Sequence, residues 1–519
     1  MSNLRYPVGE QDFANIRNDN CVYIDKTEIL YRLVTTKKYY FLSRPRRFGK
    51  SLMLSTLRYY FEGRRELFQG LAMERLEHDW TVHPVIYLDM SSDKYAEIEI
   101  LHATIDNMLA RYEWLYQVTV ETRNAYGVRL SNIINAAYAA TGQGVVVLID
   151  EYDAPLLDST HDEERLNVMR NITRSLYSPL KAQAAHLRFV MLTGITKFSQ
   201  LSIFSELNNL TNISMLPDYE AICGITEQEM LTQLRPGIEE MAQDQGFTYD
   251  ECASRLKEYY DGYHFSRRLT DIYNPFSLLS ALSNKELGLH WFGTGTPTWL
   301  LDLIRHYRFD ITEMESIPTS ASRFDRPAQQ INDVVPVLYQ SGYLTIKDYD
   351  DGIFVLGIPN KEVRTGLGES LTDYSGSEPL ERKDYLRIAY RGLVRQGDLD
   401  GFMSSLTDFF RAIPYDISND NERHFQAVFY AVLASFGADI MAEDRTSNGR
   451  ADIVLRLPHD IYVVELKYGK TVDEAMEQLH RKNYAAKWRG DNRTIRLLGM
   501  NIDPATRTID AWRCEEVSL

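Results

Sequence analysis

Cysteine is scarce and poorly placed for chemistry. Cys21, Cys223, Cys252 and Cys514 are scattered along 519 residues, with no Cys-x-x-Cys pair and no histidine at zinc-ligand spacing. They read as reduced, structural thiols in a cytoplasmic protein. No run reaches the roughly 18 apolar residues that a membrane-spanning helix needs; the best candidate, Val145 to Ile149, has strand length and ends in Asp150-Glu151. The opening Met1 to Gly9 shows neither a leader pattern nor an Arg/Ser-rich transit pattern, so export and membrane partners are not expected. Low-complexity stretches are missing, and a hydrophobic share of 44% with a charged share of 25% predicts folded structure nearly throughout. Positive charge is short as well. A formal net charge of −16 argues against a general polyanion binder, because non-specific nucleic-acid affinity comes from Lys and Arg neutralising phosphates. Any nucleic-acid contact must therefore be local. Its one candidate footprint is Arg481, Lys482, Lys487, Arg489, Arg493 and Arg496, which a solvated helix face explains equally well.

The length predicts two or three domains. Near the start, the strand-type run Tyr39 to Ser43 leads into Arg44-Pro45-Arg46-Arg47-Phe48-Gly49-Lys50-Ser51 and then into Leu52, Leu54 and Leu57 at helical spacing. Strand, loop, helix is the context of a phosphate-binding loop. There backbone N–H groups surround a phosphate, a lysine reaches the β- and γ-oxygens, and a serine hydroxyl holds Mg²⁺. Arg46, Arg47, Phe48, Gly49, Lys50 and Ser51 are the expected nucleotide contacts. The pattern wants a glycine at position 44, where this chain has arginine.

Support comes from the unbroken β-branched run Val145 to Ile149, which delivers Asp150 and Glu151 at the end of a buried parallel strand. Asp150 is expected in the Mg²⁺ shell and Glu151 as the group that orients or deprotonates the attacking water. The runs Val85 to Asp89 and Phe189 to Thr193 fit the same sheet. Thr193 is expected to sense the γ-phosphate, with Lys197 and Arg174 as weaker candidates for a charge-stabilising role.

Towards the other end, Arg450 to Leu455 and Ile461 to Lys467 flank Pro458-His459-Asp460 and read as a β-hairpin. A turn centred near His459 sets Asp452 across from Leu466, beside Glu465 and Lys467. Two carboxylates can hold a divalent metal against a phosphodiester while the lysine orients water and stabilises negative charge. Glu422, at the start of a helix running through Val428, Phe429, Val432 and Leu433, is expected to complete the metal site. Asp473 to Trp488 reads as a further amphipathic helix carrying Gln478, which either contacts a phosphate backbone or is simply solvated.

These residues resemble a bacterial family that couples an AAA-ATPase-like domain to a PD-(D/E)XK nuclease-superfamily domain. The resemblance extends to Pro7-Val8-Gly9 with Asp12-Phe13, Tyr23-Ile24-Asp25-Lys26-Thr27, Ser43 to Ser51, and Leu148 to Asp153. It continues through Thr193 to Lys197, Tyr260-Asp261-Gly262-Tyr263 and Tyr273-Asn274-Pro275-Phe276-Ser277. It implies that Arg44 is the family's usual form of the loop, that ATP is the nucleotide, and that Asp452, Glu465 and Lys467 match the nuclease motif, with Glu422 a softer match.

The expectation is an α/β protein in three parts: a P-loop NTPase over 1–225, a mostly helical lid, connector or winged-helix-like segment over 226–410, and a nuclease-like α/β domain over 411–519. Its function would be ATP binding and hydrolysis coupled to a Mg²⁺-dependent (or Mn²⁺-dependent) nuclease acting on DNA or RNA. The alternative is a nucleotide-dependent switch or partner-binding protein whose nuclease fold does not cut. Assembly into a homo-oligomer stays open.

Overall fold

The computed structural model describes residues 5–157, 162–196, 209–292, 304, 309, 311–324, 333–374, 380–411, 421–446, 449–488 and 490–517. Lys197 and Arg489 lie outside them. The chain divides into two compact units, residues 1–291 with 318–359, and residues 292–317 with 360–519. The segment 226–410, read from sequence as one connector, is thus shared between the two.

The first unit is built on a parallel sheet of β1 (Tyr39–Ser43), β2 (Val85–Asp89), β3 (Val145–Asp150), β4 (Leu187–Gly194) and β5 (Thr211–Asn212), in the order β2-β3-β4-β1-β5. Every residue of β1 and β3 is buried. That burial explains why both strands are continuous apolar runs: a parallel sheet covered on both faces has no polar side to alternate with. The strand inserted between the loop strand and the acidic strand is β4, whose pairs Leu42↔Thr193 and Ile149↔Leu192 bring three strand ends level. Helical elements after residue 225 form their own core around Met230, Leu234, Ile238, Leu256, Tyr260, Tyr273 and Leu278. The Tyr249–Tyr260 helix starts from a capping box of Thr248 and Glu251. Gly342, at φ 89°, ends the Val335–Ser341 helix, and the next strand begins at Thr345.

The second unit holds a five-stranded sheet in the order 439–446, 449–456, 460–468, 494–503, 508–516. All neighbours are antiparallel except Asp460–Tyr468 beside Thr494–Asp503, a parallel pair joined through the Val472–Lys482 helix. Alternation along Asp460–Tyr468 sends Tyr462, Val464 and Leu466 into a core shared with Phe425, Phe429 and Met500. Ile461 and Val463 go to the opposite face, against Met476, Leu479 and Tyr484. The helix expected over 473–488 stops at Lys482. Asn483 takes the left-handed conformation at φ 48°, and Tyr484–Trp488 continues as a 3₁₀ turn. Among the described residues no helix is long and apolar enough to cross a membrane.

Candidate functional site

The two clusters lie one in each unit. In the first, Gly49 caps the Lys50–Phe61 helix from the left-handed region at φ 90°, where a side chain would be strained, so the chain can turn sharply from loop to helix. Lys50 is buried. Its Nζ donates to the carbonyls of Arg44 (3.0 Å) and Pro45 (3.2 Å) and pairs with Glu151 at 3.1 Å. Asp150 receives hydrogen bonds from the Thr193 hydroxyl (2.6 Å), the Glu151 N–H (3.0 Å), Tyr87 (3.3 Å) and the Ser51 hydroxyl. Burial, then the neighbouring charge of Glu151, pushes the Asp150 carboxyl above the usual carboxylate range. Glu151 itself sits at φ 47°, a conformation that costs a non-glycine residue about 1 kcal/mol or more. Lys50, Ser51, Asp150, Glu151 and Thr193 are therefore brought together.

The remaining loop residues divide. Phe48 is fully buried, with its ring edge-on to Tyr263 (4.8 Å) and Phe265 (5.3 Å). Its expected role towards nucleotide is thus limited to the backbone, because its side chain belongs to the core. Arg46 and Arg47 are exposed. The Arg46 carbonyl accepts from the Trp291 indole at 3.3 Å, and the Arg47 guanidinium lies 4.7 Å from the Phe276 ring. Arg174 stands in the last turn of the Glu163–Tyr177 helix.

Arg44 explains how a loop without the first glycine is held. Its guanidinium is buried and donates to the carbonyls of Ser43 (2.9 Å), Ser214 (2.7 Å), Tyr219 (3.3 Å) and Glu220 (3.4 Å), stacked 4.0 Å from the Phe265 ring. Burial lowers its pKa to about 10, still charged at neutral pH. Beside the helix start lies an apolar cavity of about 90 Å³ bounded by Tyr23, Ile24, Phe48, Gly49, Met53 and Cys223, among others.

In the second unit the hairpin turn closes with Leu457 N–H on the Asp460 carbonyl (2.8 Å), and pairing runs from Arg456↔Ile461 to Ile453↔Val464. This register is one residue off the expected Asp452–Leu466 pairing. The difference matters, because facing residues share a side and the observed register carries Asp452 to the side of Glu465 and Lys467. The Asp452 carboxylate accepts the Leu466 N–H at 2.8 Å, and Gln426 donates to the Asp452 carbonyl at 2.8 Å.

Lys467 Nζ lies 2.7 Å from Glu465 Oε1 and 3.2 Å from Glu422 Oε1, and donates to the Leu466 carbonyl at 3.3 Å. Glu465 is completely buried, and its Oε2 accepts no hydrogen bond among the described residues. Burial, then the charge of Asp452, raises the Glu465 pKa to about 8. Burial pulls on Lys467 in the other direction, but the hydrogen bond and charge of Glu465 leave it raised. An orphaned, fully buried carboxylate oxygen is costly in a metal-free chain and is what a cation ligand requires. Asp452 and Glu465 thus fit one divalent ion. Glu422 faces Lys467 instead, and among the described residues no three His, Cys, Asp or Glu side chains gather as a metal-binding group. Gln478 bonds to Tyr484 beside the carboxylates. Arg493 and Arg496 are engaged by Asp491 (2.7 Å) and Asp460 (2.6 Å), which removes two charges from the expected basic footprint.

Sequence reasoning missed Asp153, which buries its carboxylate against Ile195 and Thr196 just past β4, and Arg44 as the anchor of the loop. The acid three places after Asp150 was visible, but nothing local told which backbone it faces.

A P-loop-like α/β unit followed by a nuclease-type mixed sheet is the class that the fold defines. Residues 7–204 match the family model described as "Predicted AAA-ATPase", and residues 420–512 match that of the "PD-(D/E)XK nuclease superfamily". An "Uncharacterized protein in vnfD 5'region" of Azotobacter chroococcum mcd 1 is 34% identical over 532 residues, covering 100% of both chains. The chain belongs to the family that joins an AAA-ATPase-like domain to a PD-(D/E)XK nuclease-superfamily domain.

Proposed function

We propose that the chain binds and hydrolyses ATP in its first unit and cleaves phosphodiester bonds of DNA or RNA, with a divalent metal, in its second. The observation that carries the nuclease half is the buried Glu465 Oε2, which has no hydrogen-bond partner among the described residues and lies on the same side of the sheet as Asp452 and Lys467. A bound Mg²⁺ or Mn²⁺ supplies charge that polarises the scissile phosphate. Asp452 and Glu465 would hold it, the ion displacing the proton that burial keeps on Glu465 in the metal-free chain. Lys467, kept protonated by Glu465 and Glu422, orients water and offsets charge on the phosphate. Glu422 acts on the lysine rather than on the metal.

For the ATPase half, Lys50 has three oxygen partners that a triphosphate can replace: two carbonyls and Glu151. That exchange would release Glu151 to act on water, while Ser51 and Asp150 hold Mg²⁺ and Thr193 reads the terminal phosphate. The apolar cavity beside Gly49 and Met53 suits the nucleotide's base. ATP is proposed to regulate the second site, and with a formal net charge of −16 any nucleic-acid contact is local. The reading is tested by metal-dependent cleavage of single- and double-stranded DNA and RNA, with and without ATP. Lys467→Ala should abolish cleavage, and Lys50→Ala and Glu151→Gln should abolish ATP hydrolysis without unfolding. Cleavage unchanged in Lys467→Ala refutes the nuclease half.

A further inference from the structure

The last residue of β3 and the three that follow it, Asp150 to Asp153, all contact the neighbouring machinery. Asp150 takes the Thr193 hydroxyl and Glu151 takes Lys50. The next two, Tyr152 and Asp153, turn inward and are completely buried. Tyr152 donates its N–H to the Thr193 carbonyl (2.9 Å) and its hydroxyl to the Thr196 carbonyl (2.9 Å). The Asp153 carboxylate accepts the Thr196 N–H (2.6 Å), the Thr196 hydroxyl (2.6 Å) and the Ile195 N–H (3.2 Å).

The approach is close enough to dictate the residue between them. A Cβ on Gly194 would stand 2.5 Å from Asp153 Oδ1 and 2.6 Å from Tyr152 Cε1. The Gly194 carbonyl in turn accepts the Arg44 N–H (3.2 Å), so the exit of β4 is tied on one side to the acidic strand and on the other to the first residue of the phosphate loop.

We infer that Asp153 is a positioning residue for ATP hydrolysis, which acts through Thr196 to fix the β4 exit and thereby the Thr193 hydroxyl against Asp150. The inference rests on the ATPase reading above. A carboxylate suits this role because it has acceptors for three donors at once, whereas an asparagine must turn an N–H₂ towards one of them. Displacement of a positioned group by a fraction of an ångström to one ångström lowers the chemical step far more than it lowers ground-state binding.

The experiment compares steady-state ATP hydrolysis and equilibrium binding of a non-hydrolysable ATP analogue in the full chain, Asp153→Asn, Thr196→Val and Thr196→Ser. Asp153→Asn and Thr196→Val should each lose roughly tenfold or more in kcat, with analogue affinity within about threefold of the parent. Thr196→Ser, which keeps the hydroxyl, should retain parental kcat. The double variant Asp153→Asn/Thr196→Val should be no slower than either single one, because the two changes break one linkage. If Asp153→Asn does not fold, the serine–valine pair at position 196 decides. Equal rates for Thr196→Ser and Thr196→Val overturn the inference, as does a joint fall of kcat, affinity and melting temperature. A parent chain that binds the analogue but turns over no ATP refutes the ATPase reading instead.

Discussion

Replacing Glu465 with glutamine should change how the stability of the second unit depends on pH. In the folded chain the carboxyl is buried at 0% exposure beside Asp452, and its pKa rises from 4.5 to about 8. A folded value above the unfolded one means that the native state holds the proton more tightly. The contribution is therefore complete below about pH 4.5 and is lost as pH rises through about 8. At about 1.4 kcal/mol per unit of displacement, the full change is on the order of 5 kcal/mol. Glutamine keeps an oxygen for Lys467 and carries no charge at any pH, so the Glu465→Gln chain should gain on the parent across that window. Urea unfolding in the presence of a chelator, followed by hydrogen exchange in the Asp460–Tyr468 strand at about pH 5, 6.5 and 8, measures the difference. Parallel stability curves for parent and variant would refute the claim that Glu465 is held protonated by its surroundings.

Placing the glycine of the general phosphate-loop pattern at this position with Arg44→Gly should destabilise the first unit by a few kcal/mol, on the order expected when a buried charged donor with several carbonyl partners is removed; a melting temperature at or above the parent's would count against it. Gly194→Ala should lower stability and ATP turnover together, since its Cβ meets Asp153 and Tyr152, and calorimetry beside an ATPase assay reads both. Glu422→Gln should lower metal-dependent cleavage while leaving Mn²⁺ affinity within about threefold, if the glutamate serves Lys467 at 3.2 Å rather than the ion; loss of Mn²⁺ binding in titration calorimetry would reverse that assignment.

Much of this architecture was legible in the chain. The strands Tyr39–Ser43 and Val85–Asp89 lie where their aromatic and β-branched runs put them, and Val145–Asp150 extends its run by one residue. Local composition suffices where a strand is buried on both faces, as Tyr39–Ser43 and Val145–Asp150 are. It does not fix register: the hairpin around His459 pairs one residue away from the expected setting, because the turn closes from Leu457 to Asp460 and not symmetrically about His459. The break at Asn483 interrupts an amphipathic pattern that continues past it, so periodicity alone runs on to Trp488. Unit boundaries were the least legible. Gly368 packs so closely on the Glu422–Ser435 helix that a Cβ would lie 2.6 Å from the Ser435 nitrogen, a long-range contact without a local signature.

Arg44 gives the loop an unusual electrical floor. Its guanidinium is wrapped in carbonyls and an aromatic ring, and with a pKa near 10 it stays cationic through the physiological range. Dissolved salt reaches such a charge far less than it reaches one on the surface. Nucleotide attraction in this family member would accordingly fade less with rising ionic strength than in a loop that relies on solvent-facing cations, a property that a glycine in the same place could not confer.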